Sequence, residues 1–344
     1  MESRKKERAI MTFIDMLGIK HPIIQAPMAG VTTPQFVAAA AEAGVLGSVG
    51  AGYLSAEETR DFIREVKKLT GNPFAVNLFI PENNEMNQEQ LDQAYLALQP
   101  IGRKLGMSSW KAHLSESDFD RQVDVIIEED VPICSFTFGI PNQKTIQKLK
   151  NAGVLLIGTA TTKEEAIAVE KAGVDAVVAQ GSEAGGHRGS FIGEEHVPLA
   201  VLLPSIIEAV TIPVIAAGGI ANKEQLNHQL LRGAEAVQIG TALLATEESG
   251  AHPLYKQAVL EAAENSTVLT KAFSGKSARG IRNEFIDIMV GIPIAPYPYQ
   301  NDLTKKIRSE AAALGRPEFM SLWAGESVHE SACGTVKEII KKFI

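Results

Sequence analysis

Apolar residues recur along this chain in short unbroken runs rich in Val and Ile. Longer stretches separate them, in which apolar residues return every three or four positions. The runs fall at 22–26, 45–49, 73–79, 131–136, 154–158, 175–180, 213–217 and 235–239. Continuous rather than alternating apolarity suits strands buried on both faces. The intervening segments, 33–43, 55–69, 118–129, 142–151, 162–172, 199–209 and 222–232, read as amphipathic helices. Ser55, Asn142, Thr162 and Asn222 stand where helix N-caps are needed. Three helix-to-strand joints repeat, as AEAGV (41–45), KNAGV (150–154) and EKAGV (170–174), each placing a glycine where a helix should end in a left-handed residue. Eight strands alternating with helices predict an α/β chain closed into a (β/α)8 TIM barrel. The main rival is an open doubly wound sheet, which carries a Gly-rich fingerprint after its first strand; QAPMAGVTTP (25–34) is not GxGxxG.

Two regions break the rhythm. Residues 81–117 follow the third strand with a polar patch, PENNEMNQEQ, and then a helix-like run, and read as an insertion on the barrel. Residues 250–344 are too long for one final barrel helix and include the Pro- and Tyr-rich IPIAPYPYQND (292–302). The expected division is a barrel over 1–249 and a C-terminal helical cap over 250–344.

Composition narrows the class. The 344 residues are 45% hydrophobic and 22% charged, ordinary for a globular chain, and no apolar run is long enough to span a bilayer. MESRKKERAI at the start is charged, with no long apolar stretch after it, so no secretory signal is read there. Cys134 and Cys333 form no metal or disulfide spacing, which fits a cytoplasmic protein. A net charge of −8 without a basic run argues against nucleic acid or an anionic membrane as partner.

In a (β/α)8 barrel the loops after the strands meet on one face, where ligands bind. Those strand ends contain Gln25, Ala26, Pro27, Met28, Ala29 and Gly30; then Gly50, Gly52 and Asn77; then Thr159 and Thr161. The later ends add Gln180 through Gly189, then Gly218 and Gly219, and finally Gln238, Ile239, Gly240 and Thr241. Glycine, small residues and neutral amides dominate, without carboxylate clusters for a metal or a strand-ending lysine, so the face suits a large planar cofactor better than an ion. AAGGI (216–220) and QIGT (238–241) place backbone N–H groups at the usual barrel phosphate site. Asn77 and Gln180 can donate and accept at a ring edge. The most informative stretch is VDAVVAQGSEAGGHRGSF (174–191), where a glycine loop holding Gly181, Gly185, Gly186 and Gly189 carries His187. Histidine exchanges a proton near neutral pH. Arg188 beside it pairs either with an anionic substrate or with a neighbour such as Glu183. The remaining histidines, His21, His113, His196, His228, His252 and His329, read as surface or core residues. Tyr297 and Tyr299 could wall the site, and Trp323 reads as lid core.

Assembled, these motifs resemble the nitronate monooxygenase family, formerly 2-nitropropane dioxygenases, class I. The matching segments are QAPMAGVTTPQFVAAAAEAGVLGSVGAGYLS (25–55), FAVNLFIP (74–81), GTATTKEEA (158–166), 174–191, IPVIAAGGI (212–220) and AVQIGTALL (236–244), with KSARGIRNEF (276–285) and PYPYQNDLT (296–304) farther on. AGVLGSVG (43–50) departs from the family's usual Gly-Gly-Leu-Gly run. The resemblance implies FMN as cofactor, with Met28, Asn77, Gln180, Gly185, Gly186, Gly218, Gly219 and residues 238–241 around it. It implies that alkyl nitronates such as propionate 3-nitronate react with O2 to give a carbonyl compound and nitrite, a detoxification. His187 matches the family's active-site histidine, as general base for neutral nitroalkanes or as electrostatic partner of the nitronate. Two other readings remain: an FMN-dependent enoyl-acyl carrier protein reductase using NADH, and a flavin-binding protein without turnover. A homo-oligomer is left open.

Overall fold

Where apolar runs meet capped helices, the chain alternates strand and helix as its pattern requires. The computed structural model describes residues 11–82, 87–110 and 117–344. The charged stretch 1–10, part of the polar patch at 81–90, and His113 lie outside the described residues. The strands are β1 (Ile23–Gln25), β2 (Gly47–Gly50), β3 (Phe74–Phe79), β4 (Ile133–Thr137), β5 (Leu155–Ala160), β6 (Ala176–Gln180), β7 (Gly186–His187), β8 (Val214–Ala217), β9 (Ala236–Ile239), β10 (Thr267–Thr270) and β11 (Ala278–Ile281). Eight of them form one parallel sheet in the order β1-β9-β8-β6-β5-β4-β3-β2. Its edges meet through a parallel bridge between Ile24 and Leu46, with the Gln25 amide donating to the Leu46 carbonyl at 2.8 Å. The sheet is thereby closed into the expected (β/α)8 barrel.

Local chemistry sets the helix limits. Ser55, Asn142, Thr162 and Asn222 each accept, through the side chain, the amide of the residue three positions on. At the repeated joints Gly153 and Gly173 have φ of 79° and 89°, and a Cβ at either would meet nothing within 4 Å. Backbone conformation rather than space therefore demands glycine there.

Alternate strand residues divide two apolar layers. Ile23, Val76, Leu78 and Val177 face the surrounding helices, while Ile24, Ala75, Val178 and Ile215 face inward. The short helix Phe13–Leu17 adds Phe13 and Leu17 to the inner cluster.

A second core lies beyond that face. Leu98 and Ile101 of helix Gln88–Lys104 pack there with Phe273, Phe285, Ile307 of helix Tyr299–Ala313, and Phe319. The part of the insertion that is described therefore shares its core with the C-terminal region. That region is not purely helical: β10 and β11 form an antiparallel pair, and β11 also pairs with β7, setting Ala278 opposite His187. The last helix, Val336–Lys341, returns to the barrel, where Val336, Ile339 and Ile340 join the strand-to-helix core.

Candidate functional site

Between the C-terminal strand ends and the cap lies a cavity of about 570 Å³, within the usual size of a cofactor or substrate site. The barrel supplies Met28, Asn77, Gln180, Gln238, Ile239 and Gly240 to its lining. The glycine loop supplies Gly185, Gly186 and His187, and the turn after β8 supplies Gly218 and Gly219, with Thr241 beside them. His187 and the residues that the resemblance sets around a cofactor thus all border one space. Their roles toward a ligand are a separate question.

Each is held by its local fold. Gly218 and Gly219 have φ of 116° and 68°, and a Cβ on Gly218 would lie 3.0 Å from the Ala184 amide nitrogen. The turn is therefore closed to larger residues on both conformational and steric grounds. Cap residues cover it: Ser327 Oγ donates to the Gly219 carbonyl at 3.0 Å, and the Gly325 amide donates to Thr241 Oγ1 at 2.9 Å. Asn77 is buried and donates to Ser135 Oγ and Thr137 Oγ1 at 2.9 and 3.2 Å. Gln180 braces the glycine loop, donating to the His187 carbonyl at 3.1 Å and accepting from the Gly189 amide at 2.8 Å. One amide hydrogen and one lone pair of Gln180 remain for a ligand.

His187 is half-buried and enclosed by rings. Its imidazole centroid lies 5.4 Å from Trp323, 5.8 Å from Phe138 and 6.1 Å from Tyr297. Burial, reinforced by the positive charges of Arg308 and Lys276, pushes its pKa down to about 3. The imidazole is therefore neutral across the physiological range. Lys276 spans the barrel-to-cap joint, paired with Glu82 and lying 4.8 Å over the Phe138 ring. Phe138 has φ of 73°, a strained value for a bulky residue, at the cavity wall.

Arg188 is turned away from the cavity, and Glu183, one of its expected partners, is among the carboxylates near it. It is 1% exposed and donates to the carbonyls of Gly181 and Gln180, at 2.8 Å for the latter. Burial lowers its pKa to about 10, while Glu165 and Glu183 nearby hold its charge. It locks the loop from beneath and does not border the cavity. Glu165, also buried, accepts the amides of Thr161, Phe191 and Ile192 and fixes the loop's far end.

Sequence reasoning missed a number of lining residues. His252, read as a surface or core residue, caps helix Pro253–Glu261 and borders the cavity. Trp323, read as lid core, stands against His187. Tyr53 and Arg308 also line the space. Of the two tyrosines expected at the wall, Tyr297 packs behind it, its ring 5.3 Å from Phe138 and 6.1 Å from His187, while Tyr299 packs into the cap core.

With this geometry in view, comparison with known proteins is informative. A sequence model of the family described as nitronate monooxygenase matches residues 11–344. A probable nitronate monooxygenase of Staphylococcus haemolyticus (strain JCSC1435) is 45% identical over 336 residues, covering 95% of this chain and 94% of that protein. Among solved structures, nitroalkane oxidase from Streptomyces ansochromogenes superposes with a TM-score of 0.91 at 38% identity, covering 96% of each chain. FabK from Thermotoga maritima superposes less closely, with a TM-score of 0.75 at 34% identity, over 96% of this chain and 93% of its own.

Proposed function

The chain belongs to the nitronate monooxygenase family and is an oxidoreductase, and on that premise we propose that its cavity holds FMN and oxidises alkyl nitronates with O2 to a carbonyl compound and nitrite. The observation that carries this reading is a neutral imidazole, His187, in the same cavity as a glycine- and amide-lined strand-end face. The family is one of flavoenzymes, and the donor set fits such a group. No Asp or Glu is among the described lining residues. Met28, 3.6 Å from where a Cβ of Gly240 would stand, gives an apolar floor beside the polar edge.

Residues Gly218, Gly219, Gly240 and Thr241 would hold the phosphate, chiefly through backbone amides. Asn77, Gln180 and Gln238 would meet the ring edge, and Gly185 and Gly186 would let the backbone approach it. The flavin, when bound, supplies the redox chemistry. The chain supplies binding, exclusion of water and a proton acceptor. Accepting a proton from the Cα of a neutral nitroalkane makes His187 a cation beside a newly formed nitronate anion. The two opposite charges offset the burial that disfavours each alone. A preformed nitronate needs no such step. The proposed partners are therefore a small nitro compound and O2, with no nicotinamide.

The test is which reductant the bound flavin accepts. Ethylnitronate without oxygen should bleach its visible absorption within seconds, whereas NADH should do so slowly or not at all. The likeness to FabK gives the alternative substance. Rapid bleaching by NADH, coupled to reduction of an enoyl thioester, would move the protein to that reading.

A further inference from the structure

Among the described lining residues Arg308 is the one side chain with a fixed charge. It projects from helix Tyr299–Ala313 of the cap. One terminal nitrogen, Nη2, donates to the Asn301 carbonyl at 2.9 Å and to Asn301 Oδ1 at 2.8 Å, which fixes the guanidinium plane. Its Nε is buried and has no hydrogen-bond partner. A buried guanidinium donor left unmatched is costly unless a ligand completes it. Burial weakens its hold on the proton, while the acidic Asp302, which does not border the cavity, and the Tyr53 hydroxyl favour the charge. Arg308 is also close enough to His187 to lower its pKa by charge repulsion.

We propose that Arg308 recognises the anionic head of the substrate, and that this residue rather than His187 supplies the positive charge to a bound nitronate. The proposal rests on the nitronate reading above. A planar guanidinium matches two oxygens on one atom, as in a nitronate or carboxylate, and charge-assisted pairs of this kind are among the stronger hydrogen bonds. The division of labour follows: a permanent cation orients the anion, while a neutral imidazole stays free to accept a proton. Arg308 is thus a specificity-determining residue, favouring anions over neutral nitroalkanes.

The test uses nitrate, a planar anion shaped like the nitronate head and inert to oxidation, titrated calorimetrically into the purified flavin-loaded protein. The wild type should bind it. Arg308→Met should weaken binding roughly 10- to 100-fold; Arg308→Lys, which keeps the charge and loses the fork, should fall between; His187→Asn should change it less than about threefold. In turnover, Arg308→Met should raise KM for ethylnitronate far more than for nitroethane. Melting temperature and flavin content are measured on each variant, and Arg308→Lys carries the test if the methionine variant does not fold. Wild-type nitrate affinity in folded Arg308→Met and Arg308→Lys overturns the proposal, as does loss of binding in His187→Asn alone. Release of flavin by both Arg308 variants also overturns it, since the guanidinium would then serve the cofactor phosphate. A wild type that binds nitrate through Arg308 yet oxidises no nitronate would refute the proposed reaction and leave the anion site standing.

Discussion

Nε2 of His187 lies 2.8 Å from Oγ of Ser274, joining the strand-end loop of the barrel to the cap. The same hydroxyl lies 3.1 Å from the Lys276 carbonyl, to which it donates. A Ser274 hydroxyl that donates to Lys276 can only accept from Nε2–H, and that arrangement leaves the lone pair of the neutral ring on Nδ1. A cap residue thereby sets which nitrogen of His187 can take a proton.

Ser274→Ala should release that choice. Turnover of nitroethane should fall about five- to tenfold in kcat/KM, the worth of one ordinary hydrogen bond, with ethylnitronate changed less than about twofold. Ser274→Thr, which keeps the hydroxyl, should restore most of the loss. Steady-state oxygen consumption on both substrates checks this; equal losses on both would show that Ser274 only seats the cap.

His187→Asn should lower kcat/KM for nitroethane by about 10²- to 10⁴-fold, the usual range for a general base, and lower ethylnitronate turnover much less. Flavin content is measured first. Were nitronate affected as strongly as nitroethane, His187 would be a substrate-binding group and not a base.

The depressed pKa of His187 also bears on stability. An unfolded histidine gains a proton as pH falls through about 6.5, while the folded one resists until about 3. The unfolded chain therefore binds more protons in that window, and stability is lost as pH drops through it. His187→Asn, which never charges, should gain melting temperature relative to wild type at pH 5 compared with pH 8. The same Tm difference at both pH values would show that the ring is not held neutral.

Gly219→Asp places bulk and negative charge at the turn beneath Ser327, where a Cβ already approaches Glu183 Cβ at 3.2 Å. Most of the flavin should be absent from the purified variant. Full occupancy with unchanged affinity would remove this turn from the phosphate site. Gly185→Ala should act differently: its Cβ would stand 2.5 Å from the Gly325 amide nitrogen, so the cap must shift. Proteolysis of the cap should then quicken.

What was legible in the sequence follows from how local each signal is. The eight barrel strands show because burial on both faces writes an unbroken apolar run, and the helix starts show because Ser55 or Asn222 must satisfy an amide three residues on. The site glycines show because the turn after β8 excludes larger residues. The β10–β11 pair is hidden because TVLT and ARGI are short and their third partner, β7, lies in the glycine loop far away in sequence. The return of Val336–Lys341 to the barrel is hidden because a helix pattern does not say which core it joins. Arg308 follows the exposed Lys305 and Lys306, so it reads as part of a solvated face, although its Nε is buried. Nothing in FGIPN signals that Phe138 has a positive φ.

The most direct measurement mixes purified, flavin-loaded protein with ethylnitronate or with NADH in an anaerobic stopped-flow cell, following the visible flavin band, and then admits oxygen. Nitronate should bleach the flavin within seconds and yield nitrite once oxygen enters, with NADH slow or inert. Fast bleaching by NADH and none by nitronate would contradict the proposed reaction.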